Sequence, residues 1–293
     1  MGRGRSLVLF ASALAAAAVL PGSGLGARTV PSGAFFVLTC RFDHFAPDDP
    51  IVLPGLPGRS HDHAFIGNVS TTAFSTPATL AGHRTTCSDP DDQSSYWAPT
   101  LYVNGAPVAP LGVTVYYRRL TRAPVRPFPR GLEMVAGNSH AFTPQSPAVT
   151  QWYCGVLKSA FYGPRRREGS PAPTLSAAGL PRCAAPTNLE LQVNFPDCSD
   201  GKANSANHKT HMAYSVAGRC PSSHPIPVPA ISLILRYPAV AGGNVFLSSG
   251  GVYSGHADFM DAWKARPFAR LVENCLNRYV ACGPEATGAL DTH

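Results

Sequence analysis

The sequence predicts a mainly β protein: an antiparallel sandwich or jelly roll with long loops, one helix near the C-terminus, and disulfide crosslinks. Three observations predict it. Short runs rich in β-branched and aromatic residues alternate apolar with polar side chains, the period of two that a half-buried strand requires. Gly and Pro number 27 and 29 of 293 residues while charged residues are only 14%, the balance of a loop-rich β chain rather than a helical bundle. The eight cysteines are even in number and all follow an export-type segment, so crosslinks are the natural reading.

That segment comes first. Arg3 and Arg5 precede an apolar run over 7–20, which ends at Pro21 and Gly22. A charged start, a short apolar middle and a small-residue exit are the form of a secretory signal peptide, expected over 1–27. The run is short of the ~20 residues that cross a bilayer, and no later run is longer. A single β domain is expected over 34–283, with a flexible tail over 284–293.

Within the domain, strands are expected over 34–42, 60–68, 96–103, 113–120, 132–136, 150–156, 212–216, 231–237 and 245–248. Asn104-Gly105 is a hairpin signal, because both residues tolerate the positive φ of a type I′ turn. Over 189–195, Leu189, Leu191, Val193 and Phe195 alternate with Glu190, Gln192 and Asn194, a half-buried strand. The helix is placed by Phe268, Leu271, Val272, Cys275 and Leu276, one apolar stripe at helical spacing. The Arg- and Pro-rich stretch 163–186 reads as an exposed insertion. Cys275 with Cys282 and Cys198 with Cys220 are the expected local pairs; the other four cysteines are left open. Asn68-Val69-Ser70 is a glycosylation sequon.

Function is sought first in 194–238, a polar stretch between two strand-like runs, bracketed by Cys198 and Cys220 and carrying His208, His211 and His224. Long loops of this kind are more often functional than idle. Histidines recur in three groups: His61 with His63, His208 with His211, and His256 with Asp258. His-x-His on a strand sets two imidazoles side by side, and His-x-x-His on a turn does the same. His61, His63, His208 and His211 are therefore the candidate metal ligands. The bland alternative is that each ring caps a loop. Without a metal, His61, His63, His208, His211, His256 and Asp258 are candidate acid–base groups, with Asp62, Asp197 and Asp200 beside them. Tyr96, Trp97, Lys209 and Tyr214 are candidate substrate contacts, the rings for sugar faces and the ammonium for a substrate charge.

Several classes are excluded or unsupported. There is no Cys-x-x-Cys zinc pair, no Gly-x-Ser-x-Gly nucleophile elbow, no phosphate-cradling glycine loop and no basic-aromatic RNA motif. No nucleic-acid partner and no membrane span are expected, and the residues specify no cofactor. The formal charge of +7 suits an anionic extracellular polymer or merely a solubilising surface.

Several stretches in this order resemble a known family. They are Ser60-His61-Asp62-His63 with 65–68, Ser95-Tyr96-Trp97-Ala98-Pro99-Thr100-Leu101-Tyr102, Asn194-Phe195-Pro196-Asp197-Cys198, and Asp200-Gly201. They continue with His208-Lys209-Thr210-His211-Met212-Ala213-Tyr214, Cys220-Pro221, His224-Pro225, 233–238, Tyr253-Ser254-Gly255-His256-Ala257-Asp258-Phe259, Trp263 and 271–276. The set is similar to the secreted DUF1996 family of fungi and actinobacteria and spans roughly 36–282. Ser199 stands where the family often has Trp, and Ala257 where it often has Gly. The resemblance implies a glycan setting by association and no established activity. The expectation is a secreted, crosslinked β protein that acts on or binds extracellular polysaccharide or cell-wall polymer through a His/Asp/Tyr cleft. If it is an enzyme, it is a hydrolase or lyase. The alternatives are a non-catalytic glycan-binding or wall protein, and a metal-dependent enzyme or metal-binding protein.

Overall fold

In chain order the strands are β1 (Phe35–Cys40), β2 (Phe42–Ala46), β3 (His63–Gly67), β4 (Ser95–Pro99), β5 (Leu101–Val103), β6 (Ala106–Val108), β7 (Gly112–Arg118), β8 (Glu133–Gly137) and β9 (Thr150–Gly155). They continue as β10 (Asn188–Asn194), β11 (Cys198–Ser199), β12 (Met212–Ala213), β13 (Ile226–Pro227), β14 (Ala230–Tyr237), β15 (Val245–Leu247), β16 (His256–Met260) and β17 (Ala281–Cys282). Helix α1 is Pro77–Leu80, and α2 (Ala265–Leu271) runs into a π-helical turn, Val272–Asn277. The structure is a computed structural model that describes residues 1–2, 34–155, 179–181, 183, 187–240 and 242–283. Residues 3–27 of the segment expected to be a signal peptide, the tail over 284–293 and most of the 163–186 insertion lie outside the described residues.

Two sheets make the framework. One has six strands in the order β17-β1-β7-β14-β10-β9, the other five in the order β2-β3-β4-β16-β8. Every pairing in them is antiparallel except β1 with β17. Alternation decides what lies between the sheets. Phe36, Leu38, Val113, Val115, Tyr117, Leu191, Val193, Leu233 and Leu235 of the first meet Ile66, Tyr96, Ala98, Met134, Ala257 and Phe259 of the second in one buried core. Burying a side chain of this size contributes about 1.5–3 kcal/mol, and the fold rests on that sum. Phe268, Val272, Cys275 and Leu276 close one end of the core, so the predicted stripe is apolar for the reason given.

Residues 104 and 105 form the expected turn, Asn104 at φ 52° and Gly105 at φ 82°, joining β5 to β6. Four disulfides crosslink the chain: Cys40–Cys87, Cys154–Cys183, Cys198–Cys220 and Cys275–Cys282. The two local pairs expected from the sequence are among them.

Three expectations need correction. β10 is not half-exposed: Glu190 and Gln192 are buried too, because the Glu190 carboxylate pairs with Arg236 Nε of β14 at 2.9 Å. The strand expected over 212–216 stops at Ala213, where Ser215 N–H turns to donate to Asp197 Oδ1 at 2.7 Å. The sequon is not a free acceptor, since Asn68 is fully buried and its amide donates to the carbonyls of Leu80 and Gln93 at 2.9 and 2.7 Å.

Candidate metal centre

The five-stranded sheet has a second face, turned away from the main core, and the histidines lie on it. His63 opens β3 and is paired with Pro99 of β4. His256 opens β16 and is paired with Gly137 of β8. Phe65 and Asp258, two residues further along their strands, and Trp97, two residues before Pro99 on β4, occupy the next row of the same face. The spacing of two in His63/Phe65 and His256/Asp258 therefore lays imidazoles at the sheet's end, above a small apolar cluster of Phe65, Trp97, Met260, Ile51 and Leu80. His61 precedes β3 by two residues and joins the same face.

His61, His63 and His256 each present one ring nitrogen within 4.8 Å of the other two. His61 Nε2 and His256 Nε2 are 3.2 Å apart. Two imidazoles on one tetrahedral ion, at bonds of about 2.0–2.1 Å, hold their donor atoms about 3.3–3.4 Å apart. The tautomers are fixed from behind. His256 Nδ1–H donates to the Ser254 carbonyl at 2.9 Å, and His63 Nδ1–H donates to the Asp48 carbonyl at 2.8 Å. Each ring is thereby left its Nε2 lone pair, the arrangement by which backbone carbonyls orient metal-binding imidazoles.

Both residues that supply these carbonyls are held in turn by their side chains. The Asp48 carboxylate accepts from Gly58 N–H and Ala73 N–H at 2.9 and 3.1 Å, and Ser254 Oγ donates to the Gly251 carbonyl at 2.7 Å. Gly137 completes the support. It lies at φ +84°, and a Cβ there would stand 2.6 Å from the Gly255 oxygen and 2.8 Å from the His256 Cα, so only glycine lets β8 approach His256 this closely.

Electrostatics keep the three rings neutral. Burial pushes His256 down to about 3, helped by the charges of His61, Lys209 and His140 and opposed by the Ser254 carbonyl. Burial with His140 nearby pushes His61 down to about 4, against the pull of Asp62. His63 is held well below its ordinary value by burial and by the other two rings. A neutral imidazole is the ligand form. A His61–His256 hydrogen bond alone would account for two of the rings. It leaves His63 Nε2 buried without a hydrogen-bond partner, a cost that native interiors seldom carry without a use.

The other expected site residues fall in different places. Asp258 is on the histidine face, fully buried, with neither carboxylate oxygen hydrogen-bonded; burial and the charge of Asp49 raise it well above a normal carboxylate, against the pull of Lys209. His208 and His211 do not join the cluster, and this corrects their place among the metal candidates. His208 Nδ1 meets Asn204 Oδ1 at 2.9 Å and His211 Nδ1 meets Ser205 Oγ at 3.0 Å. His211 Nε2 is also buried without a partner, but among the described residues no two further ligand side chains converge on it as they do on His63. Tyr96 and Trp97 are not sugar platforms. Both are fully enclosed, one in each face of the sheet, as a central strand buried on both sides requires. Tyr214 remains 38% exposed, and Lys209 Nζ donates to the Gly137 carbonyl at 2.6 Å. His140, missed by the sequence reading, acts on both His61 and His256. It follows Gly137 by three residues, and no spacing pattern flagged it.

A family model described as "Domain of unknown function (DUF1996)" matches residues 49–263. No curated protein and no solved structure matches the chain.

Proposed function

The chain belongs to the DUF1996 family, and from its own site we propose that it is an extracellular metal-dependent protein that acts on polysaccharide, with His61, His63 and His256 holding one divalent ion. The observation that carries the reading is the unpartnered, buried His63 Nε2 beside the His61–His256 pair. An imidazole set selects the zinc–copper–nickel class over magnesium or calcium, which prefer oxygen ligands. Three protein ligands leave a position open, as in catalytic rather than structural sites. The ion supplies Lewis acidity and lowers the pKa of bound water, to about 7 in the zinc case.

The protein's part is to hold three neutral donors through the Asp48 and Ser254 carbonyls, so that the ion keeps its full charge. His61 is the least buried of the three and gives the open side its access to solvent. Four disulfides with no free cysteine among the described residues suit an oxidising compartment. Among the described residues no helix is long and apolar enough to cross a membrane. Export is supported further by the charged start and short apolar run of the N-terminal sequence, and a glycan substrate by the setting that the family resemblance implies.

Elemental analysis of protein purified without chelator tests the metal, with one zinc-class ion per chain expected. A polysaccharide panel assayed for new reducing or unsaturated ends, before and after chelation, tests the activity. Metal-free protein, or cleavage indifferent to chelation, would overturn the reading.

A further inference from the structure

Beside the histidine row lies a cavity of about 260 Å³, lined by Val135, Gly137, Gln145, Val149, Lys209 and Tyr214 among others. Gly137 is common to both: it is the cross-strand neighbour of His256 and part of the cavity wall. A molecule filling the cavity therefore reaches the edge of the candidate metal centre. Its lining carries one charged side chain, Lys209, and no acid. Lys209 Nζ is anchored on the Gly137 carbonyl and makes no ion pair among the described residues. The rest of the wall is largely apolar, with the half-exposed Tyr214 ring fixed by its hydroxyl, which donates to the Asn194 carbonyl at 2.8 Å.

An apolar wall with one tethered, unpaired ammonium fits a ligand with a hydrocarbon face and one negative charge. A pyranose bearing a carboxylate has that form. A neutral sugar would leave the ammonium unmatched, and a multiply charged phosphate chain would find one cation where it needs several. We infer that this cavity is the subsite for a uronic-acid residue of the polysaccharide, with Lys209 as the partner of its carboxylate. The inference rests on the reading of the histidine triad as the place where that polymer is handled.

The test is titration calorimetry on the whole secreted protein, with metal content measured on the same sample. The probes are oligomers of galacturonic, glucuronic and mannuronic acid and their methyl esters, which keep the sugar and remove the charge. At least one acid should bind about tenfold or more tightly than its ester, the size expected of one charge-assisted contact. Lys209→Gln should erase that preference without changing metal content, and Lys209→Arg should retain most of it. Equal binding of acid and ester for all three sugars, or a preference that survives Lys209→Gln, overturns the subsite. A preserved acid preference in protein that holds no metal supports the subsite and removes the metal reading instead.

Discussion

The two faces of the five-stranded sheet are built from the same strands, often from adjacent residues, and treat their polar groups in opposite ways. On the inner face the polar atoms close on one another across the core. Tyr96 O–H donates to Asp92 Oδ2 at 2.6 Å and also meets the Tyr117 hydroxyl of the opposite sheet. Trp263 Nε1–H donates to that same hydroxyl at 2.9 Å. On the outer face, His63 Nε2 and both oxygens of Asp258 are buried with no partner. Leaving such a group unpaired costs about 1–3 kcal/mol, more if it is charged. One face stabilises the fold with its polar groups; the other carries a cost that a bound ligand can remove. Between these two faces the difference teaches where to look, although single buried orphans such as the Tyr237 hydroxyl and His211 Nε2 also occur elsewhere: the outer face is marked by several that converge beside three ring nitrogens.

The largest expected effect breaks the two faces apart. His63→Ala or His256→Ala should drop bound metal from one ion per chain to near zero, while thermal stability of the metal-free protein stays close to that of the metal-free parent. Tyr96→Phe should do the reverse, keeping the ion and costing about 1–3 kcal/mol by stranding the Asp92 carboxyl, which is several degrees in Tm for a chain of this size. His208→Ala and His211→Ala serve as histidine controls and should keep the ion. Elemental analysis and calorimetric melting on the same preparations decide it. A histidine variant that melts early but keeps its metal would return the triad to a structural role.

A smaller effect tests the support behind the outer face. Gly137→Ala introduces a methyl group where 2.6 Å separates it from a backbone oxygen, at a φ that disfavours any side chain. Strand β8 must yield, and His256 with it. Disturbing the shell that orients a ligand usually weakens metal binding by about 10–100-fold. Competition with a chromogenic chelator measures this; affinity unchanged within about twofold would mean that the triad does not depend on the approach of β8.

Much of the fold was legible in the residues, and so were two of the three candidate ligands. Alternation placed most strands because one face of each meets a core, and His61-x-His63 was visible as two rings on one side of a strand. The third was legible as a candidate acid–base group but not as a ligand. His256 and Asp258 stood out as a pair, yet nothing along the chain says that β16, which carries Ala257 and Phe259 toward the core and His256 and Asp258 away from it, sets His256 beside His61 and His63. Which strand lies beside which is a matter of topology, and β3 meets β16 only through β4. The His208 and His211 pair gave an equally good local signal and failed for a local reason. Asn204 and Ser205, on the same loop, take up one nitrogen of each ring, no third ligand among the described residues converges on them, and no periodicity reveals that. Tyr96 and Trp97 misled because aromatics at a sugar site and aromatics in a two-sided sheet look alike along the chain.

The smallest effect concerns the inner face and should leave the outer one untouched. Burial drives the carboxyls of Asp92 and Asp261 up to about 7 each, with the Asp261 charge adding to the shift at Asp92. In the unfolded chain both return to an ordinary value of about 3.9. Between those limits the folded protein holds protons that the unfolded chain has released. The contribution of these two carboxyls therefore falls as pH rises from about 4 to about 7 and levels off above that, while the neutral rings of His61, His63 and His256 contribute the opposite slope below about 6.5. The carboxyl contribution is fully present in acid and lost near neutrality, the opposite of a salt-bridged carboxylate. Asp92→Asn keeps an oxygen for the Tyr96 hydroxyl but has no proton to lose. Relative to the parent, it should gain on the order of 2 kcal/mol at pH 8 over pH 5, with metal content unchanged. Urea melts at three or four pH values measure the slope directly. An Asp92→Asn variant whose pH dependence matches the parent's over the same interval would show that the inner carboxyls do not titrate as buried acids, and the contrast between the two faces would then have to rest on the histidines alone.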